Sequence, residues 1–224
     1  MLQDINWTIR EGERWHLQGA NGSGKTTLLS LITGDHPQSY MQPNESLQLF
    51  GRPRKRQATA FLAQQIGIAS PEIFAAFPRR LGRGALTVRD VIATGFEGTF
   101  AYRPRSQQMD DEINELLSFL GNDSDAVSGW ADSAFASLAH GEQAMVLLMR
   151  ALAGKPPLLI LDEVFAGMDD RMIQNAKSYL RERIPPQQAV IFVTHWEDEL
   201  PWGVDDCRKV TLVDGKATIP LPEI

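Results

Sequence analysis

The chain has 224 residues, of which 43% are hydrophobic and 22% charged. That composition excludes a disordered tail, a collagen-like fibre and a small disulfide scaffold, and it can fill a core without staples. Lys and Arg number 22 against 28 Asp and Glu, a net charge of −6, the wrong sign for a chain whose main ligand is DNA or RNA, so no direct nucleic-acid partner is expected.

Glu13 to Gln18 reads as a strand running into a glycine-rich turn. Thr26 to Thr33, with Leu28, Leu29, Leu31 and Ile32, predicts a buried helix stopped by Gly34 and Pro37. Ser46 to Phe50 alternates apolar and polar residues up to Gly51 and predicts a strand, whereas residues 52–85, rich in Arg, Pro and Gly, have no assignable pattern. Lys55, Arg54, Arg56, Arg79, Arg80 and Arg83 in this third of the chain read as a solvated loop face. Thr87 is placed to cap a helix carrying Val88, Val91 and Ile92. Ser106 opens a second helix, closed by Gly121, and Gly141 to Ala153 forms a third. Leu158 to Leu161 is a continuous apolar run ending in Asp162 and Glu163, a buried strand with acids at its carboxyl end. Asp170 is expected to cap a helix with Ile173, Ala176, Leu180 and Ile184 on one stripe, ended by Pro185 and Pro186. Ala189 to Thr194 is a strand ending at His195, and Lys209–Val213, Asp214-Gly215 and Lys216–Ile219 read as a hairpin with a type I′ or similar turn. The order predicts an α/β fold: a parallel sheet with a helical subdomain inserted at about 75–153 in one domain over 1–224.

Cys207 is the single cysteine, so no intrachain disulfide can form and a reducing compartment fits. The longest apolar stretches, near Ala144–Met149 and Pro157–Leu161, fall far short of the ~18 residues of a spanning helix. MLQDINWTIREGERW lacks the charged-then-apolar layout of a secretory signal. A cytoplasmic location, free or peripheral to a membrane, is expected.

Two elements carry chemistry. Gly19, Ala20, Asn21, Gly22, Ser23, Gly24, Lys25, Thr26 and Thr27 read GANGSGKTT and contain G-x-x-x-x-G-K-T between a strand and a helix, the context that a phosphate loop requires. Its glycines let successive N–H groups curl around phosphate oxygens, and the helix beyond them aims its N-terminus at the same anion. Lys25 would reach the β- and γ-phosphates and Thr26 would offer its hydroxyl to Mg²⁺. In LLILDE, Asp162 stands where a carboxylate would hold that Mg²⁺, and Glu163 where it would orient and deprotonate an attacking water. ATP and Mg²⁺ are the expected ligands.

Further motifs resemble those of the ATP-binding cassette (ABC) ATPase family, over essentially the whole chain. Leu138, Ala139, His140, Gly141 and Glu142 fall where the family has its LSGGQ signature, and Arg150, Ala151 and Leu152 match its R-A-L. AGMD, Ala166 to Asp169, resembles the D-loop, and FVTH, Phe192 to His195, resembles the switch strand with its histidine. TGDHP at 33–37, LFGRPR at 49–54 and DE-x-F-x-G-M-D at 162–169 are similar to the ModF-like group, associated with molybdate transport and with two cassettes in tandem. The resemblance implies a P-loop (RecA-like) sheet core with an inserted helical subdomain. It also implies ATP hydrolysis by two cassettes arranged head to tail, with each signature acting on the other cassette's γ-phosphate. Glu163 and His195 would be catalytic and Asp169 the D-loop acid. The partner would be a copy of this chain or a tandem half, with a membrane transporter subunit as a further partner.

The chain departs from the family in four places. Ala139 replaces the signature serine and His140 a glycine, so a hydroxyl that donates to phosphate is missing. The Q-loop glutamine aligns either with Gln64 and Gln65 or, if Ile66–Ala69 is the preceding strand, near Pro71 or Glu72. Val164 replaces a proline. Met1-Leu2 matches only the residues just after the family's first strand and its adenine-stacking aromatic, and Trp7 and Trp15 read as core rather than as adenine platforms. These departures leave a second reading open: a nucleotide-binding switch with little hydrolysis, in a role other than transport.

Overall fold

The computed structural model describes residues 2–102, 104–121 and 127–219, so residue 1 and residues 220–224 of the expected 1–224 domain lie outside the description. An irregular segment leads into strand β1 (Arg14–Gly19), followed by helix α1 (Lys25–Thr33). A small hairpin of β2 (Gln48–Leu49) and β3 (Arg52–Pro53) comes next, then α2 (Thr59–Gln65), β4 (Ile66–Ala69) and α3 (Pro71–Ala76). Helices α4 (Val88–Ala93), α5 (Gln107–Leu120), α6 (Val127–Ala131) and α7 (His140–Leu152) precede β5 (Leu158–Asp162). The chain ends with α8 (Asp170–Glu182), β6 (Ala189–Val193) and the pair β7 (Arg208–Val213) and β8 (Lys216–Thr218).

The main sheet runs β4-β5-β6-β1-β7-β8. Every pairing is parallel except β7 with β8. Both faces are covered, which is why β5 and β6 read as unbroken apolar runs. The period of two still sorts them. Leu159, Leu161, Val190 and Phe192 enter the core shared with α4, α5, α7 and α8. Leu158, Ile160, Ala189, Ile191 and Val193 enter the core under α1. Trp15 is buried in that second core, and Trp7 packs edge-on against it with centroids 5.4 Å apart.

Several expectations are corrected. The strand expected over Ser46–Phe50 shrinks to Gln48–Leu49, because Phe50 and Gly51 take positive φ (51° and 74°) and turn the chain back on itself. The stretch left unassigned holds the sheet's edge strand β4 and two helices. Asp169, not Asp170, caps α8: its carboxylate accepts from the Met172 N–H at 2.8 Å. Arg54, read as solvated, is buried at 1% exposure. The final hairpin turns as expected, with both central residues at positive φ, Asp214 at 50° and Gly215 at 81°. Among the described residues no helix is long and apolar enough to cross a membrane.

Candidate nucleotide site

Four neighbouring strands in the order β4, β5, β6, β1 end at one edge of the sheet, the edge where open parallel sheets bind ligands. The loop after β1 contributes Asn21, Gly22 and Gly24 through Thr27 to a single cleft. The ends of β4 and β5 contribute Pro71, Glu72, Asp162 and Glu163 to the same cleft. Gly24 caps α1 in the left-handed region at φ 108°, a conformation costly for any residue with a side chain, and no side chain bonds the first α1 amides. The Lys25 ammonium donates to the carbonyls of Gly19 at 2.7 Å and Ala20 at 3.3 Å, arching over the loop. Its neighbour Thr26 is exposed to the cleft.

Asp162 is buried at 7% exposure. Burial first, then the charges of Glu72 and Glu163, push its carboxyl up to about 6, with Lys25 opposing. Glu163 leaves the strand at φ 48°, a left-handed conformation that strains a residue other than glycine, and its N–H donates to the Val193 carbonyl at 3.0 Å. That kink brings its carboxylate 3.3 Å from His195 Nε2 at the end of β6. The backbone before His195 is tied down as well. The Thr194 carbonyl meets His16 Nε2 at 3.2 Å, and its hydroxyl bonds the Glu199 carboxylate and accepts from the Trp196 N–H. The Thr26 hydroxyl and the Asp162 carboxylate are hard oxygen donors in one cleft, the donor chemistry that suits Mg²⁺. Among the described residues no three carboxylate, thiol or imidazole groups converge on one metal position. A cation here would therefore keep most of its shell for phosphate and water.

The sequence matches the ABC transporter family model over residues 2–166. The chain belongs to the ABC transporter family. It is 35% identical over 222 residues to an ABC transporter ATP-binding protein of Schizosaccharomyces pombe, covering 98% of this chain and 42% of that protein. The ModF-like resemblance is borne out too: the chain is 35% identical over 204 residues to the ABC transporter ATP-binding protein ModF of Escherichia coli, covering 90% of this chain and 39% of ModF. The chain thus spans about two fifths of the length of these curated relatives. In fold it is similar to the ATP-binding cassette MJ0796, solved as a dimer in a post-hydrolysis state with ADP and Pi, with a TM-score of 0.70, 21% identity, and 97% and 90% of the two chains covered.

In this ABC cassette the segment 138–142, expected from the sequence to be the signature, contributes none of the residues that line the cleft. Ala139 occupies the N-cap of α7 with no side-chain oxygen to offer, while Glu142 accepts from the Ala139 N–H at 2.9 Å and from Trp130 Nε1 at 3.0 Å. The His140 ring lies 4.4 Å from the Phe74 ring of α3, tilted by 41°. Asp169 is exposed at the head of α8. Arg150 is buried, donating to the Thr94 hydroxyl and the Thr99 carbonyl at 3.0 Å each, and so ties α7 to the turn after α4.

The two sets of residues offered for the Q-loop lie at opposite ends of β4. Gln64 and Gln65 end α2 at the amino end of β4, away from the cleft, whereas Pro71 and Glu72 lie just past its carboxyl end and line the cleft. Sequence reasoning reached Glu72 only as one of two alternatives, through reading Ile66–Ala69 as a strand, and that segment is β4.

Proposed function

We propose that this cassette binds ATP with Mg²⁺ and hydrolyses it as one half of a head-to-tail pair. The observation that carries the reading is that Lys25, Thr26, Asp162 and Glu163, from the ends of two strands far apart in sequence, line one cleft. The loop amides and the Lys25 ammonium would cradle the β- and γ-phosphates. Thr26 and Asp162 would hold the cation, which when bound neutralises charge on the phosphates. Glu163 would take a proton from the attacking water, with His195 beside it bracing the γ-phosphate. That the signature residues lie outside their own cleft supports their use on the opposite cassette, with Gly141 and the start of α7 meeting the anion and Asp169 at the contact between cassettes. The helices within about 75–153 would form the inserted subdomain of a single domain.

The names of relatives support transport as the use of the cycle: ModF of Escherichia coli, and the sulfate/thiosulfate import ATP-binding protein CysA of Halalkalibacterium halodurans, 30% identical over 217 residues. The partner cassette would be a second copy or a tandem half, since the first relatives are more than twice as long as the segment matched. The second reading, a switch with little turnover, is favoured by one observation, the missing oxygen at Ala139. Glu163→Gln separates binding from chemistry. It should bind ATP as the wild type does and lose about 100-fold or more of phosphate release; wild-type turnover would remove Glu163 from the mechanism.

A further inference from the structure

The cleft carries one cationic side chain, Lys25, against three carboxylates, Glu72, Asp162 and Glu163. The last two belong to the acid pair that ends β5. The first comes from the segment just past β4, where one of the two alignments puts the family's neutral glutamine near Pro71 or Glu72. Glu72 is held in the first turn of α3, which Ser70 caps by accepting from the Ile73 N–H at 3.3 Å, so its backbone is fixed relative to β4. It is exposed, with no ion pair to neutralise it among the described residues.

No three such groups converge on one metal position among the described residues; what Glu72 adds to the cleft is a third negative charge against one ammonium. A triphosphate without a cation would bring several negative charges to a wall that already carries three. The same triphosphate with a divalent cation brings the compensating charge with it. Repulsion between unit charges across a partly solvated cleft changes affinity by a few-fold per charge and is screened by salt.

We propose that Glu72 is a specificity-determining residue of the nucleotide cleft: it excludes free nucleoside triphosphate and admits the complex with a divalent cation. This rests on the reading that the cleft binds ATP. A neutral glutamine at the same place would leave two carboxylates and a weaker barrier.

The test is the binding of a fluorescent ATP analogue to the full chain, followed by polarisation in Mg²⁺ and in EDTA. The proteins are the wild type, Glu72→Gln, and Glu45→Gln as an exposed carboxylate outside the cleft. The ratio of the dissociation constants in EDTA and in Mg²⁺ should fall about fivefold in Glu72→Gln, chiefly through tighter binding in EDTA, and the change should shrink as salt is raised. Glu45→Gln should keep the wild-type ratio. A wild-type ratio in Glu72→Gln overturns the assignment and leaves the nucleotide site standing. Equal weakening in both conditions also overturns it, because Glu72 would then contact the nucleotide directly. An absence of saturable binding by the wild type in Mg²⁺ overturns the nucleotide site itself, and the proposal with it.

Discussion

A Cβ on Gly167 would lie 2.2 Å from Nδ1 of His140. The imidazole at the head of α7 and the loop before α8 thus share one space, and a Cβ on Gly141 would likewise meet the Gly167 carbonyl at 2.3 Å. Gly167 takes φ 79°, so it is required both by its backbone and by its neighbour. His140 and Gly167 are a matched pair within one cassette. Gly167→Ala should destabilise by about 2–4 kcal/mol in the wild type, combining backbone strain with the clash. In a His140→Gly background only the backbone cost of about 1 kcal/mol should remain. Urea unfolding of the four proteins gives the coupling directly. Strictly additive costs would mean that the ring moves aside freely.

Ala139→Ser tests two roles of the signature serine separately. Glu142 already accepts from the residue-139 N–H at 2.9 Å, one half of a capping box. A serine oxygen would complete the other half by accepting from the Glu142 N–H, adding about 1 kcal/mol to stability. If the cassettes pair as proposed, the same hydroxyl would donate to the opposing phosphate. A hydrogen bond to a charged group is worth about 1.5–3 kcal/mol, so turnover should rise about 10- to 100-fold. Stability comes from urea midpoints and turnover from phosphate release. A gain in stability without one in rate would place the limit on hydrolysis elsewhere than residue 139.

Asp162 makes the nucleotide-free protein's stability depend on pH. Its folded pKa of about 6 stands above the ordinary 3.8. The folded state therefore holds the proton more tightly, and the stability this contributes is full below the lower value and lost as pH rises through the upper. A difference of about two pH units corresponds to about 3 kcal/mol, present as a cost near neutrality. Asp162→Asn should accordingly be more stable than the wild type by up to about 3 kcal/mol near pH 7.5, with the advantage shrinking toward zero near pH 4. Unfolding measured across that range without nucleotide or Mg²⁺ checks this. An advantage that did not vary with pH would show that Asp162 does not titrate as its burial implies.

The features legible in the sequence were those encoded locally. The runs of β5 and β6, the phosphate loop between strand and helix, and the Asp214-Gly215 turn each carry their signal within a few residues. Arg54 shows why the stretch around it did not. Its guanidinium is buried because Gly34 leaves the room, since a Cβ there would lie 1.8 Å from Nη2. It donates to the carbonyls of Thr33 at 3.4 Å and Gln57 at 3.2 Å and to the Tyr40 hydroxyl at 3.3 Å, over whose ring it also lies. Partners up to 21 positions away leave no mark on a local pattern, and a basic tripeptide there looks like surface. Glu72 was legible only as one of two alternatives, because an apolar run as short as Ile66–Ala69 does not by itself fix a strand; the placement of β4 brings its carboxylate to the cleft. His140 was legible as a departure, but its contacts with Phe74 and Gly167 depend on the packing of three separate elements.

The sharpest test of paired hydrolysis is steady-state phosphate release against protein concentration, with Lys25→Ala as the blank. If two such cassettes hydrolyse ATP together, specific activity should rise with concentration and level off as cassettes pair, with none in the blank. Release no greater than that of Lys25→Ala at every concentration would contradict this, and would leave the chain a nucleotide-binding module dependent on another cassette for any chemistry.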